Sequence, residues 1–228
     1  MVRSFRSNRA GGGCLVLGLG LLILAGCAST QEGRVTKLRA RAAHETALAE
    51  LAEGRVSSGL ASLKEAVSLT PDDPVYRNSL GLVYLEMRNF PEAMAAFTKA
   101  IELDPGYAEA YHNLGVALAQ SDRYEEAIDE YKKALSLPVY ATPDVAYYNL
   151  GLAYFHTGRL EEAEEAIRRA LKLEPGRVAA HFQLGVILFK TGRHEAARAV
   201  FRQARDLGPG TPSGQAAGEY LKRLGEGG

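Results

Sequence analysis

The chain of 228 residues carries 27 basic and 27 acidic side chains, so its formal net charge is zero. With no run of Lys or Arg and no basic excess, the composition does not point to a nucleic-acid partner. Its two cysteines leave room for at most one disulfide bond.

The amino terminus has the composition of a secretory signal. The first ten residues contain three arginines and no acidic residue, and residues 14–25 are apolar except for glycines. Small residues then surround Gly26 and Cys27. A positive start, a short apolar segment and a small-residue cleavage site predict a signal peptide over residues 1–26. The apolar segment is shorter than the roughly 20 residues that span a bilayer as a helix.

The end of this segment, Leu24-Ala25-Gly26-Cys27, resembles the lipobox of bacterial lipoproteins. The resemblance implies cleavage before Cys27, a diacylglycerol on its sulfur and an acyl chain on its new amino group, with no other cofactor. Ala28 in place of aspartate implies export to the outer membrane, anchored on the periplasmic face. An ordinary signal with an incidental cysteine is the alternative. The mature chain, 27–228, keeps 24 basic and 27 acidic side chains, a formal charge of −3, and no disulfide is expected in it.

An internal repeat occupies most of the remaining chain. The segments NSLGLVY, HNLGVAL, YNLGLAY and FQLGVIL begin at residues 78, 112, 148 and 182. In the first segment Gly81 is followed by Ala93, Phe97 and Ala100, and the other three carry alanine, a bulky residue and alanine at the equivalent positions. This is the pattern of the tetratricopeptide repeat (TPR), a helix–turn–helix of about 34 residues. The expected fold is all-α, a right-handed TPR superhelix (α-solenoid).

A weaker copy of the repeat precedes the four clear ones, with Gly59 and Leu63 in its second helix. Residues 213–224 have the pattern of a short amphipathic helix that would cover the open end of the solenoid. The prediction is therefore a lipidated cysteine with a short tether over 27–35, a TPR domain over 36–211, and a capping helix and tail over 212–228. The expected repeats lie near residues 40–73, 74–107, 108–143, 144–177 and 178–211.

The first helices of the repeats carry two apolar stripes about 130° apart, which one interface cannot bury. One stripe, containing Leu80, Leu150 and Leu184, is predicted to pack on the second helix of each repeat. The TPR resemblance implies that the other lines a concave partner-binding groove, although packing between neighbouring first helices is the alternative. The predicted groove residues are Leu48, Leu51, Leu82, Leu85, Val116, Ala119, Tyr148, Leu152, Phe155, Phe182, Val186 and Phe189.

No motif indicates catalysis or metal binding. The five histidines form no HExxH pair, and the chain has neither a GxSxG elbow nor a P-loop. We therefore expect a protein-binding protein rather than an enzyme, with no metal, nucleic-acid or small-molecule ligand.

The lipobox, the repeats and the interruption PVYATPD before YYNLG together resemble the PilF/PilW/Tgl family of type IV pilus biogenesis lipoproteins. The resemblance implies a pilotin, which binds a secretin subunit or another pilus-machine component and promotes secretin localisation and multimer assembly. The alternatives are an adaptor for peptidoglycan enzymes or for outer-membrane protein assembly, a self-associating scaffold, and a periplasmic enzyme.

Overall fold

The structure, a computed structural model, describes the backbone of residues 14–225 and the side chains of residues 31–225. Part of the predicted signal peptide lies outside the described residues. The side chain of Cys27 and the last three residues also lie outside them. The described part contains eleven helices: α1 Cys14–Ala52, α2 Val56–Leu69, α3 Pro74–Glu86, α4 Phe90–Leu103, α5 Ala108–Ala119, α6 Tyr124–Ser136, α7 Pro143–His156, α8 Leu160–Leu173, α9 Val178–Lys190, α10 His194–Leu207 and α11 Pro212–Arg223.

The described residues divide into two compact units, which separate after Pro71. In the first unit, α1 packs against α2. In the second, α3 to α10 form four successive helix pairs, and α11 packs on the last pair. The prediction of an all-α solenoid of helix–turn–helix repeats is confirmed.

Sequence signals explain where these helices begin and turn. Asp73 caps α3, because its side chain accepts hydrogen bonds from the backbone N–H groups of Val75 and Tyr76. The turn inside each helix pair contains one residue with φ between 57° and 78°. Glycine, which adopts this left-handed conformation readily, occupies it in three pairs. The five residues are Gly54, Arg88, Asp122, Gly158 and Gly192.

The core forms where a glycine of the first helix meets a bulky residue of the second. A Cβ atom built on Gly81 would lie 2.5 Å from Cε1 of Phe97, and Gly185 stands in the same relation to Phe201. Both phenylalanines are fully buried. In the four helix pairs of the second unit, the two alanines of the repeat pattern in the second helix are also fully buried, so the two helices can approach closely. The predicted close approach at the glycines is confirmed.

The predicted tether over residues 27–35 is helical, because α1 begins at Cys14 and continues through it. The eight residues 28–35 extend about 12 Å as a helix, less than half of the ~25–30 Å that they span when extended. Over the part of the chain that the structure describes, no helix combines the length and apolar character needed to cross a membrane.

Candidate protein-binding groove

The candidate groove of the second unit lies on the first helices of its four pairs. Each of α3, α5 and α7 contacts the next first helix along the chain. The predicted groove stripe is therefore divided between side chains that pack at these helix contacts and side chains that reach solvent.

At the amino-terminal end of this stripe, Leu82 on α3 is 42% exposed. Leu85, one helical turn later, is half-buried and packs against a cluster that contains Ala93 and Phe97. Leu82 is therefore available to a partner, whereas Leu85 also supports the fold of its own repeat.

The middle of the stripe contains a cavity of about 240 Å³ between α5 and α7, which we call the central cavity. Three predicted groove residues, Val116, Ala119 and Leu152, line it. Ala119 contributes only a methyl group and so leaves space. The volume is below the roughly 300–1,000 Å³ of typical small-molecule sites. It suits one or two apolar side chains of a protein partner.

Six residues that line the central cavity are absent from the predicted groove, and they include Tyr124, Asn149 and His156. The Tyr124 and His156 rings stack in parallel, with their centroids 4.4 Å apart. Tyr124 begins a second helix, so a search restricted to first helices could not find it. An aromatic pair at one wall gives the cavity a flat apolar surface with polar edges.

Basic side chains lie over two predicted groove aromatics. The Lys190 ammonium is 4.6 Å from the centre of the Phe155 ring, and the Arg177 guanidinium is 5.8 Å from that of Tyr148. Arg177 also pairs with Asp144. Burial raises the pKa of Tyr148 above its usual value, so its hydroxyl stays neutral at physiological pH.

At the carboxyl-terminal end, the structure corrects the prediction. Val186 is only 8% exposed and belongs to the core, so it is not a groove residue. Phe182 and Phe189 are half-buried and make edge contacts with Tyr220 of α11, at 5.9 and 5.5 Å between ring centres. The capping helix thus covers part of the stripe that α9 would otherwise present to a partner.

The two predicted residues of the first unit differ from each other. Leu48 is exposed on α1. Leu51 is half-buried, and its Cγ would lie 2.6 Å from a Cβ built on Gly59 of α2. Leu51 therefore packs inside its own helix pair, which corrects its placement in the groove.

Polar side chains link the first helices beside the stripe. Asn113 Nδ2 on α5 donates to Asn78 Oδ1 on α3 over 2.9 Å, and Asn149 Nδ2 on α7 lies 3.5 Å from His112 Nε2 on α5. Tyr140, in the interruption between repeats, covers His112 with its ring 6.0 Å away. These contacts set the spacing of the helices that carry the groove.

Burial lowers the pKa of His112 to about 4, although the carboxylate of Glu109 opposes the shift. The unfolded chain therefore binds more protons than the folded one below about pH 6.5. We expect the free energy of unfolding to be unaffected by His112 above about pH 6.5. It should fall by about 3 kcal/mol as the pH drops to about 4, since each pKa unit corresponds to about 1.4 kcal/mol.

Urea unfolding at a series of pH values tests this expectation. His112→Asn should remove the His112 part of the pH dependence, and the exposed His194→Asn is the matched control. Equal slopes for the wild type and His112→Asn would contradict the assignment.

A cleft of about 540 Å³ is lined mainly by charged residues of α8 and of the turn before α10, away from the groove. Its buried Glu164 is paired with Arg168 and Arg193. Hydrogen bonding from Arg193 is the main reason that the pKa of Glu164 is lowered. The Glu164 carboxylate and the two guanidinium groups compensate one another's charges. We therefore interpret this cleft as part of the packing of the helices and not as a binding site. Among the described residues, no cluster of three His, Cys, Asp or Glu side chains could hold a metal ion.

Comparison with known families supports the repeat assignment. The tetratricopeptide repeat family matches residues 78–146, 139–177 and 148–212, which together cover more than half of the chain. Comparison with curated proteins finds no match.

Solved structures of several TPR proteins have the same fold. MamA (residues 41 to the end) from Desulfovibrio magneticus RS-1 is 25% identical, with a TM-score of 0.69 over 76% of this chain and 97% of MamA. PilF of Pseudomonas aeruginosa is 21% identical, with a TM-score of 0.69 over 85% and 95%. PilW, a widely conserved type IV pilus biogenesis factor, is 22% identical, with a TM-score of 0.68 over 81% and 91%.

Proposed function

Because this chain belongs to the tetratricopeptide repeat family and is a protein–protein interaction scaffold, we propose that it is a pilotin. In this proposal it is anchored by lipid on Cys27 to the periplasmic face of the outer membrane. It binds a subunit of a type IV pilus secretin in its groove and promotes localisation and multimer assembly of that secretin.

The observation that carries the binding role is the central cavity with the exposed Leu82 on the same stripe. TPR domains are generally non-catalytic adaptors, and an apolar stripe between helices suits an amphipathic helix laid into it. Each fully buried aliphatic side chain contributes about 1.5–3 kcal/mol, so a few anchors give a useful affinity. The Lys190 ammonium over Phe155 favours a partner segment with an acidic residue beside its apolar anchors.

The pilus assignment draws on two similarities. The folds of PilF and PilW extend over more than four fifths of this chain. The interruption between the third and fourth repeats, with Tyr140 packed on His112, also matches the pattern that the sequence shares with the PilF/PilW/Tgl family. A lipid anchor would hold the groove near the bilayer, where a secretin subunit arrives.

The deciding experiment follows the secretin in a strain that lacks this protein. We expect fewer heat-resistant secretin multimers and their loss from the outer-membrane fraction, with both restored by the wild-type gene. Normal multimers in the outer membrane of the deletion strain would refute the pilotin role.

A Cys27→Ser variant in the same strain tests the anchor separately. It should take up no labelled palmitate and should leave the outer-membrane fraction, because two or more acyl chains are needed for stable anchoring. Unchanged palmitate labelling would refute lipidation at Cys27.

A further inference from the structure

The face of α1 that points away from α2 combines apolar and basic side chains. Ala40 and Ala47 of α1 are fully buried, which identifies the side that packs on α2. At about 100° per residue, Val35 and Leu38 lie on the opposite side. They are 51% and 66% exposed, respectively. Two large apolar side chains therefore face solvent in an otherwise polar stretch of helix.

Basic residues flank this apolar pair on both sides. Arg34, Lys37 and Arg41 lie within about 60° of one another on one flank, and Arg39 lies on the other. All four are exposed. These four residues are not consecutive in the sequence. They form a basic face only because the segment is helical, which the composition alone did not suggest.

The charge of this segment is opposite to that of the rest of the mature chain. Residues 31–44 contain four basic side chains and one acidic one, a formal charge of +3. Residues 45–228 contain 20 basic and 26 acidic side chains, a formal charge of −6. Two ion pairs of the basic group, Arg39–Glu65 and Arg41–Glu45, are largely exposed to solvent. Such pairs are weak and give way readily to another anion.

From this arrangement we infer that residues 31–42 form a second membrane-binding element, which docks on an anionic phospholipid surface. Val35 and Leu38 enter the boundary between headgroups and acyl chains, while the basic groups contact lipid phosphates on either side. Arg34 is seven residues after Cys27, about 10 Å along a helix. This location at the bilayer rests on the proposed lipid anchor, but the binding chemistry does not.

The charge and the apolar pair together identify the occupant. A basic, purely polar face would suit any polyanion, and an apolar pair alone would suit another protein. Apolar side chains flanked by basic ones match a surface that is apolar below and anionic above. Combined with the acyl chains proposed on Cys27, this element would hold α1 along the membrane surface.

The test uses fragment 28–228 made without its signal, which cannot be lipidated and keeps every residue whose side chain the structure describes. Circular dichroism checks that it is folded. Vesicle flotation compares phosphatidylcholine vesicles with vesicles that contain one quarter phosphatidylglycerol. We expect the fragment to float with the anionic vesicles only, and increasing salt should weaken this binding.

Two pairs of variants identify the surface. Arg34→Glu with Lys37→Glu should weaken binding at least about tenfold, since each basic residue near an anionic surface contributes severalfold. Lys172→Glu with Lys222→Glu changes the net charge equally on exposed residues of the second unit and should change binding far less. Likewise Leu38→Gln should weaken binding, while Val139→Gln, at a more exposed residue, should not.

Absence of flotation with anionic vesicles, equal binding to both vesicle types, or equal losses in the variants and their controls would overturn the inference. Because the fragment lacks Cys27, these outcomes are independent of palmitate labelling. Failure of the lipid anchor and failure of this surface are therefore separable.

Discussion

Leu82→Glu combined with Leu152→Glu is expected to abolish partner binding while the protein stays folded. Leu82 is exposed on α3, and Leu152 lines the central cavity. In the variant, an apolar side chain of the partner would contact a carboxylate in place of each leucine. Binding would then remove water from that carboxylate, which costs free energy. Losing two apolar anchors at about 1.5–3 kcal/mol each should weaken binding by more than about a hundredfold.

The measurement is titration calorimetry with the periplasmic part of the secretin subunit, alongside circular dichroism of the variant. Leu207→Glu is the matched control, because Leu207 is an exposed leucine at the end of α10 and outside the stripe. Leu85 is left unchanged, since it packs on the core cluster of Ala93 and Phe97. Binding that survives both leucine substitutions would show that this stripe is not the docking surface.

Phe97→Ala is expected to destabilise the protein more than any substitution at the surface of the groove. The ring is fully buried, and its Cε1 lies 2.5 Å from where a Cβ of Gly81 would be. Removal of the Phe97 ring leaves a cavity between α3 and α4. Gly81, which faces the ring, has no side chain to fill that cavity. The expected decrease in the free energy of unfolding is about 3–5 kcal/mol.

Urea unfolding of the variant beside Leu207→Ala provides the comparison. The exposed Leu207 should change the unfolding free energy by less than about 0.5 kcal/mol. Equal effects of the two substitutions would mean that the contact between Gly81 and Phe97 does not stabilise the repeat. Because each repeat of a solenoid depends on its neighbours, a loss in the repeat that contains Phe97 should also weaken the next one.

The repeat fold was predictable because the four clear repeats share the same local packing arrangement. A glycine of the first helix must face a bulky residue of the second, and small alanines must flank that contact. A period of about 34 residues therefore recurs along the chain, and the left-handed turn residues follow the same spacing. The boundary of α1 was less predictable, since residues 27–35 have no tertiary partner that the sequence reveals.

The groove was predictable only in part. Helical periodicity correctly separates the interior stripe of Leu150 and Leu184 from the other apolar stripe. It cannot distinguish Val186, which is buried, from Leu82, which is exposed, because both occupy the same position of the repeat.

What the sequence determined by itself is the part of the protein set by local spacing: the helix pairs, their glycine contacts and the apolar character of two stripes. What the tertiary structure decided is which members of the second stripe remain open. Tyr220, far along the chain, covers Phe182 and Phe189, and the α5–α7 contact leaves the central cavity uncovered. The reason is physical: periodicity fixes the direction of a side chain from its own helix, but exposure depends on what another helix places over it.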